Sequence, residues 1–199
     1  MPRRGVPLAA GEYYHLYNRG HNHQRIFFER ENYLFFLRGL RRYLLGGSET
    51  SEVFETSEVW VRVIAYCLMP NHFHLLVHPS DDQLSRRMQR LSISYTKAMN
   101  RRYERTGALF QGQFQAVRID RNEYLLHLSR YIHLNPVAAG LVERPEAWEF
   151  SSYRDYLGQR SGTLPSADVI LSQFSDRGMY QEFVDSCKVG DEEQLGQLL

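Results

Sequence analysis

Two apolar runs, WVRVIAYCL at 60–68 and HFHLLVH at 72–78, are separated only by Met69, Pro70 and Asn71. Proline cannot donate to a strand ladder and asparagine favours turns, so the three residues read as a turn and the runs as an antiparallel hairpin. The first run is β-branched and mostly buried in character. In the second, side chains alternate between faces with period two. His72, His74, Leu76 and His78 share one face, and Phe73, Leu75 and Val77 the other.

The other elements group around this hairpin. Residues 12–19 (EYYHLYNR) are aromatic-rich and predict a first strand. Residues 31–45 carry apolar side chains at 34, 35, 37, 40, 44 and 45 with arginines between them, an amphipathic helix ended by Gly46 and Gly47. A polar stretch follows in which ETSEV occurs at 49–53 and again at 55–59, reading as a solvent loop or hairpin tip. Residues 84–103 predict a long helix, 113–119 a strand, and 121–134 a helix ended by Pro136. The order is strand, helix, strand, strand, helix, strand, helix. It predicts an α+β fold, a ferredoxin-like antiparallel sheet with helices on one face. Residues 1–144 form that domain, and 145–199 a C-terminal extension of short helices, near 166–174 and 179–187.

Charge divides the chain at the same place. Residues 1–144 carry a net +7 and residues 145–199 a net −6. Lys97 is the only lysine of the basic part; the rest is arginine, whose planar fork suits phosphate. A polyanionic partner for residues 1–144 is expected, although a solvated surface of uneven charge would look similar. No run approaches the ~18 apolar residues of a membrane helix. The N-terminal residues lack the apolar stretch of a signal peptide. Two cysteines, Cys67 and Cys187, are too few for a disulfide framework or a cysteine-based zinc site. A reducing, cytoplasmic setting is expected, with no membrane partner.

Three constellations carry chemistry. His72 and His74 lie two apart on one strand face, with side chains roughly 6–7 Å apart, and both can lean onto one divalent ion. A bare His-x-His is more commonly a hydrogen-bonded surface pair. Tyr131 and Asn135 lie four apart, on one face of the helix over 121–134 and one turn from each other. A phenol beside an amide oxygen makes sense if the amide completes a metal site and the phenol attacks what the metal polarises. The plain reading has Tyr131 packed under the sheet and Asn135 capping the helix. On the helix over 84–103, Arg86, Arg90, Lys97 and Arg101 fall within about 60° of one another, opposite Leu84, Met88, Leu91, Tyr95 and Met99. Such a stripe is usually just solvated, yet it would track a nucleic-acid backbone.

The run MPNHFHLLVHP resembles the HUH motif of single-tyrosine transposases, and RYIHLNPV their nucleophile helix. YYHLYNRG near the start, GALFQGQF at 107–114, YLLHLSRYIHLNPVAAGLV at 124–142 and WEFSSYRDY at 148–156 are more specific. Together they resemble the REP-associated tyrosine transposases, bacterial relatives of insertion-sequence transposases that act on repetitive extragenic palindromes. The resemblance covers roughly residues 10–157. It implies a ferredoxin-like sheet with the histidine pair on a central strand, and a metal-dependent endonuclease and strand transferase of single-stranded, hairpin-forming DNA. Tyr131 would attack the scissile phosphate to leave a 5′-phosphotyrosine link and a free 3′-hydroxyl. His72 and His74 would hold Mg²⁺ or Mn²⁺ on a phosphate oxygen. Insertion-sequence relatives carry glutamine four after the tyrosine; here Asn135 stands there, one methylene shorter. His127, one turn before Tyr131, is the substitute third ligand, and His78 lies a pleat too far. Arg3, Arg4, Arg19, Arg86, Arg90, Lys97, Arg101 and Arg118 are the expected DNA-binding cations. A monomer is expected, although insertion-sequence relatives dimerise by exchanging their tyrosine helices.

Two other classes fit parts of the pattern. A non-catalytic nucleic-acid-binding module on the same fold would display sheet aromatics such as Phe73 for base stacking, but it has no use for a histidine pair. A hydrolase of small phosphoesters would not need the arginine stripe. For the acidic extension, Trp148, Phe150, Tyr153 and Tyr156 predict docking onto the basic domain, covering part of its surface and holding the Tyr131 helix in cis. A solvated acidic tail is the plainer alternative.

Overall fold

The computed structural model describes residues 6–46 and 59–187. The duplicated acidic stretch, Arg3, Arg4 and the last acidic residues lie outside the described part. The strands are β1 (Tyr13–Arg19), β2 (Val61–Met69), β3 (His72–Pro79) and β4 (Gln115–Ile119). The helices are α1 (Arg30–Leu40), α2 (Leu84–Arg102), α3 (Asn122–Ala138), α4 (Tyr153–Tyr156), α5 (Asp168–Leu171) and α6 (Arg177–Asp185). The four strands form one antiparallel sheet in the order β2-β3-β1-β4. This is the α+β, ferredoxin-like arrangement that the element order predicted. The described residues hold no helix long and apolar enough to cross a membrane.

Strand parity decides what each face buries. Phe73, Leu75 and Val77 of β3, with Tyr14 and Leu16 of β1, face α1 and α2 and are fully buried. From α1 they meet Tyr33, Phe36 and Leu40, and from α2 the Leu84, Met88, Leu91, Tyr95 and Met99 stripe. Each such side chain contributes about 1.5–3 kcal/mol by leaving water. Tyr95, the large residue with a polar end, donates its hydroxyl to the Ile26 carbonyl at 2.7 Å.

Helices cover both faces, not one. β2 is apolar on both sides, and Ile64, Ala65, Cys67 and Met69 would otherwise meet water together with Leu76 of β3. α3 covers them with Leu125, Leu128 and Ile132, and the C-terminal residues add Tyr153, Tyr156, Ile170, Tyr180 and Val184, all buried. A second departure concerns Pro136, which sits inside α3 instead of ending it. A proline there forfeits its own hydrogen bond and crowds the carbonyl four residues back, yet so near the end the helix still runs on to Ala138. Asn135 is therefore a residue within the helix and not its cap.

Residues after 144 seal the β2 edge. Leu68 N–H donates to the Phe150 carbonyl at 2.9 Å, Ser152 N–H to the Tyr66 carbonyl at 3.0 Å, and Ser166 N–H to the Val63 carbonyl at 2.8 Å. An edge strand left open is a template for unwanted pairing, and these bonds occupy it. Phe150 stacks on Tyr33 with ring centroids 3.9 Å apart. The described extension thus straddles the β2 edge, with Phe150 and Leu164 in the α1–α2 core and Tyr153, Tyr156, Ile170 and Tyr180 on the α3 side, while the α2 stripe faces outward.

Candidate active site

β1 lies between β3 and β4, which brings three strands to one polar patch. In the β1–β3 register Arg19 pairs with His72, Tyr17 with His74 and His15 with Leu76. All of these side chains share the face that α3 covers. His15 reaches diagonally to His74, their ring nitrogens (Nε2 of His15, Nδ1 of His74) lying 2.9 Å apart. The two rings stack with centroids 5.1 Å apart. The Tyr131 ring stands edge-on to both, 5.4 Å from His74 and 6.3 Å from His15. One helical turn on, Asn135 Oδ1 lies 3.1 Å from His72 Nε2. The four residues of the two short motifs meet in space.

Burial keeps these imidazoles neutral. It pushes His15 down to about 3 and holds His74 well below the usual histidine range, with His15 and His72 beside it adding to the effect. His72 is lowered too, by burial first and then by Arg19, while the Asn135 amide oxygen beside it opposes. A neutral ring donates from one nitrogen only. His72 sets Nδ1 2.7 Å from Asn71 Oδ1, the shorter of its two contacts, and we assign its hydrogen there. Nε2 is then a bare lone pair facing another acceptor, Asn135 Oδ1. Two acceptors set 3.1 Å apart leave a position that a shared cation satisfies.

Two imidazoles and an amide carbonyl therefore fit a divalent ion. Among the described residues no group of three or more His, Cys, Asp or Glu side chains is placed to hold a metal. The fit thus rests on His72, His74 and the asparagine oxygen. His127 lies elsewhere: an Arg130 guanidinium nitrogen donates to its Nδ1 at 3.0 Å, and its ring packs 5.7 Å from Phe183 of α6. Among the described residues no hydrogen bond or ring contact joins it to His72 or His74.

A cleft of about 750 Å³ opens beside the histidines, lined by Tyr17, Asn18, Arg19, Gln113 and Gln115 among others. Arg19 donates through Nε to Gln111. Arg118, at the outer strand, is paired with Glu12 at 2.7 Å. Arg86, Arg90, Lys97 and Arg101 are exposed on α2, across the sheet from Tyr131. The sequence reading had missed His15, Asn71 and the glutamines of the cleft. Strand parity places His15 with Tyr17 and Arg19, a signal that was readable; which strand β1 would pair with was not.

The family model described as "Transposase IS200 like" matches residues 50–135, a span holding both histidines, α2, Tyr131 and Asn135. A curated protein of Haemophilus influenzae, a putative REP-associated tyrosine transposase, is 30% identical over 101 residues. That alignment takes in 45% of this chain, and the chain spans 57% of the relative's length. A solved structure of a REP-associated tyrosine transposase bound to a REP hairpin matches with a TM-score of 0.60 at 17% identity, covering 83% of this chain and 94% of that one. The family model thus resembles IS200-like transposases, the curated relative carries the REP-associated name, and the solved structure shares the fold.

Proposed function

We propose that this chain, similar in sequence and fold to the REP-associated tyrosine transposases, cleaves and transfers single-stranded DNA at hairpin-forming palindromes, with Tyr131 as the nucleophile. One observation carries the reading: Tyr131 stands edge-on to His74 while Asn135, one turn on along the same helix, meets His72. A helix that brings a phenol and an amide oxygen to a pair of neutral imidazoles assembles a nucleophile beside a cation site.

The phenol oxygen of Tyr131 attacks the scissile phosphorus, and the bond to the 3′-oxygen of the preceding nucleotide breaks. The phenol proton passes to solvent and the 3′-oxyanion takes one up. The products are a 5′-phosphotyrosine link and a free 3′-hydroxyl, with one phosphodiester exchanged for another, so strand transfer needs only reversal on a new 3′-end. His72, His74 and Asn135 would hold Mg²⁺ or Mn²⁺, whose charge polarises the phosphate and eases ionisation of the phenol. Imidazole nitrogens favour Mn²⁺ of the two. Arg19, directly across from His72, is placed for the phosphate backbone at the cleft, and Arg118 flanks it. The α2 stripe would hold DNA away from the reacting bond. Residues 1–144 carry the chemistry in this reading and the described part of the extension, residues 145–187, holds α3 in cis, so one monomer suffices.

The test is a gel. A single-stranded oligonucleotide with a hairpin, incubated with Mn²⁺, should give an adduct that resists SDS and is absent in Tyr131→Phe. That variant should bind the same DNA within a few-fold, since it loses a hydroxyl needed only for the chemical step. An adduct that persists in Tyr131→Phe places the nucleophile elsewhere. Binding without an adduct on any palindrome would favour the non-catalytic module.

A further inference from the structure

We propose that His15 is the positioning residue of the histidine pair: it accepts a hydrogen bond from Nδ1–H of His74 and so presents the bare Nε2 of His74 to the cleft for a divalent cation. The inference rests on the metal-site reading above.

His15 is an anomaly where it stands. It is 3% exposed in the middle of β1, paired with Leu76 on one side and Val117 on the other. An apolar residue there would add to the core, whereas an imidazole must lose its hydration. The compensation is incomplete, because Nδ1 of His15 is buried without a partner. The other fully buried histidine shows what a structural role looks like. His133 has both nitrogens satisfied at 2.7 Å, by the Tyr180 hydroxyl and by Ser152 Oγ. His15 spends its one hydrogen bond on His74.

That bond decides what His74 can do. The pair shares a single hydrogen between Nε2 of His15 and Nδ1 of His74. If His15 donates, His74 must carry its own hydrogen on Nε2 and offers no lone pair. If His74 donates, its Nε2 is bare and the orphaned Nδ1 of His15 carries the hydrogen. Only the second arrangement makes His74 a ligand; in either, Nδ1 of His15 is left without a partner. A partner that accepts from a ligating imidazole also fixes the ring's rotation and raises its basicity. Here the diagonal reach from β1 does both, and the edge of Tyr131 closes the same space.

Two substitutions separate positioning from packing. His15→Gln keeps an acceptor where Nε2 now lies, and His15→Met fills similar space with none. Mn²⁺ binding to the DNA-free full chain, followed by electron paramagnetic resonance, should weaken about 10–100-fold in His15→Met and recover largely in His15→Gln. Thermal unfolding should show His15→Met at least as stable as the parent, as a packing role alone would not predict for a lost metal site. In the metal-free parent, two-bond ¹H–¹⁵N correlations should show His74 protonated at Nδ1, a measurement that needs no variant. His74 protonated at Nε2, unchanged Mn²⁺ affinity in His15→Met, or equal losses in both variants would each overturn the proposal. His72→Ala serves as the reference. Equal Mn²⁺ affinity in the parent and His72→Ala would remove the metal site itself, whereas loss in His72→Ala with retention in His15→Met would remove only His15.

Discussion

On the α1–α2 side of the sheet, Phe73 sits among Phe36 and Phe110, with ring centroids 5.2 and 6.1 Å away. On the α3 side its neighbours in sequence, His72 and His74, meet Asn135, Tyr131 and His15. One strand thus contributes to a dry core and to a polar site with residues adjacent in the chain. On the dry side the buried polar end of Tyr95 is hydrogen-bonded to the Ile26 carbonyl, while on the polar side α3 and the extension bury the far end of that face with their own apolar side chains. Stability and chemistry are separable here at the resolution of a single residue.

The largest expected effect tests that separation directly. Phe73→Ala should destabilise the protein by about 3–5 kcal/mol, since it empties a packed ring from the core. His72→Ala, one residue away, should change unfolding stability by less than about 1 kcal/mol while abolishing Mn²⁺-dependent adduct formation. Chemical denaturation of both variants reads the contrast, and comparable losses would show that the two faces act as one unit.

Acid should loosen the packing of α3 on the extension, where His133 lies between Tyr180 and Ser152. Burial pushes His133 down to about 3 in the folded protein, against an ordinary value of 6.5. Between those values the unfolded chain binds a proton that the folded chain does not. Stability is therefore fully present above about pH 6.5 and falls as the pH drops toward 3, by about 1.4 kcal/mol per pH unit for this one group. Denaturation midpoints of His133→Gln should decline less steeply than those of the parent from pH 6 to 4. Parallel curves would mean that His133 is not protonated differently in the two states.

The smallest effect concerns the outer surface of the dry side. Paired Arg90→Glu and Lys97→Glu changes should weaken binding of non-specific single strands a few-fold at low salt, with the difference fading as ionic strength rises. The rate of adduct formation at saturating DNA should stay the same, because α2 lies across the sheet from Tyr131. A slowed rate at saturation would draw the stripe into the reacting complex.

Much of this arrangement could be read from local pattern. Period two in HFHLLVH put His72 and His74 together and Phe73 opposite them, and period 3.6 put Tyr131 and Asn135 on one helix face. Those assignments need only backbone geometry over a few residues, which a chain carries wherever it goes. The position of β1 between β3 and β4 is another matter, since it is settled by which strands pair over long separations in sequence. The contact of His15 with His74 follows from that pairing and from nothing nearby. The helices on both faces and the extension along the β2 edge have the same origin, whereas the continuation of α3 past Pro136 is a local matter of where the proline falls in the last turn. The first two depend on how much apolar surface remains uncovered once the sheet has formed, a quantity that exists only in the assembled fold.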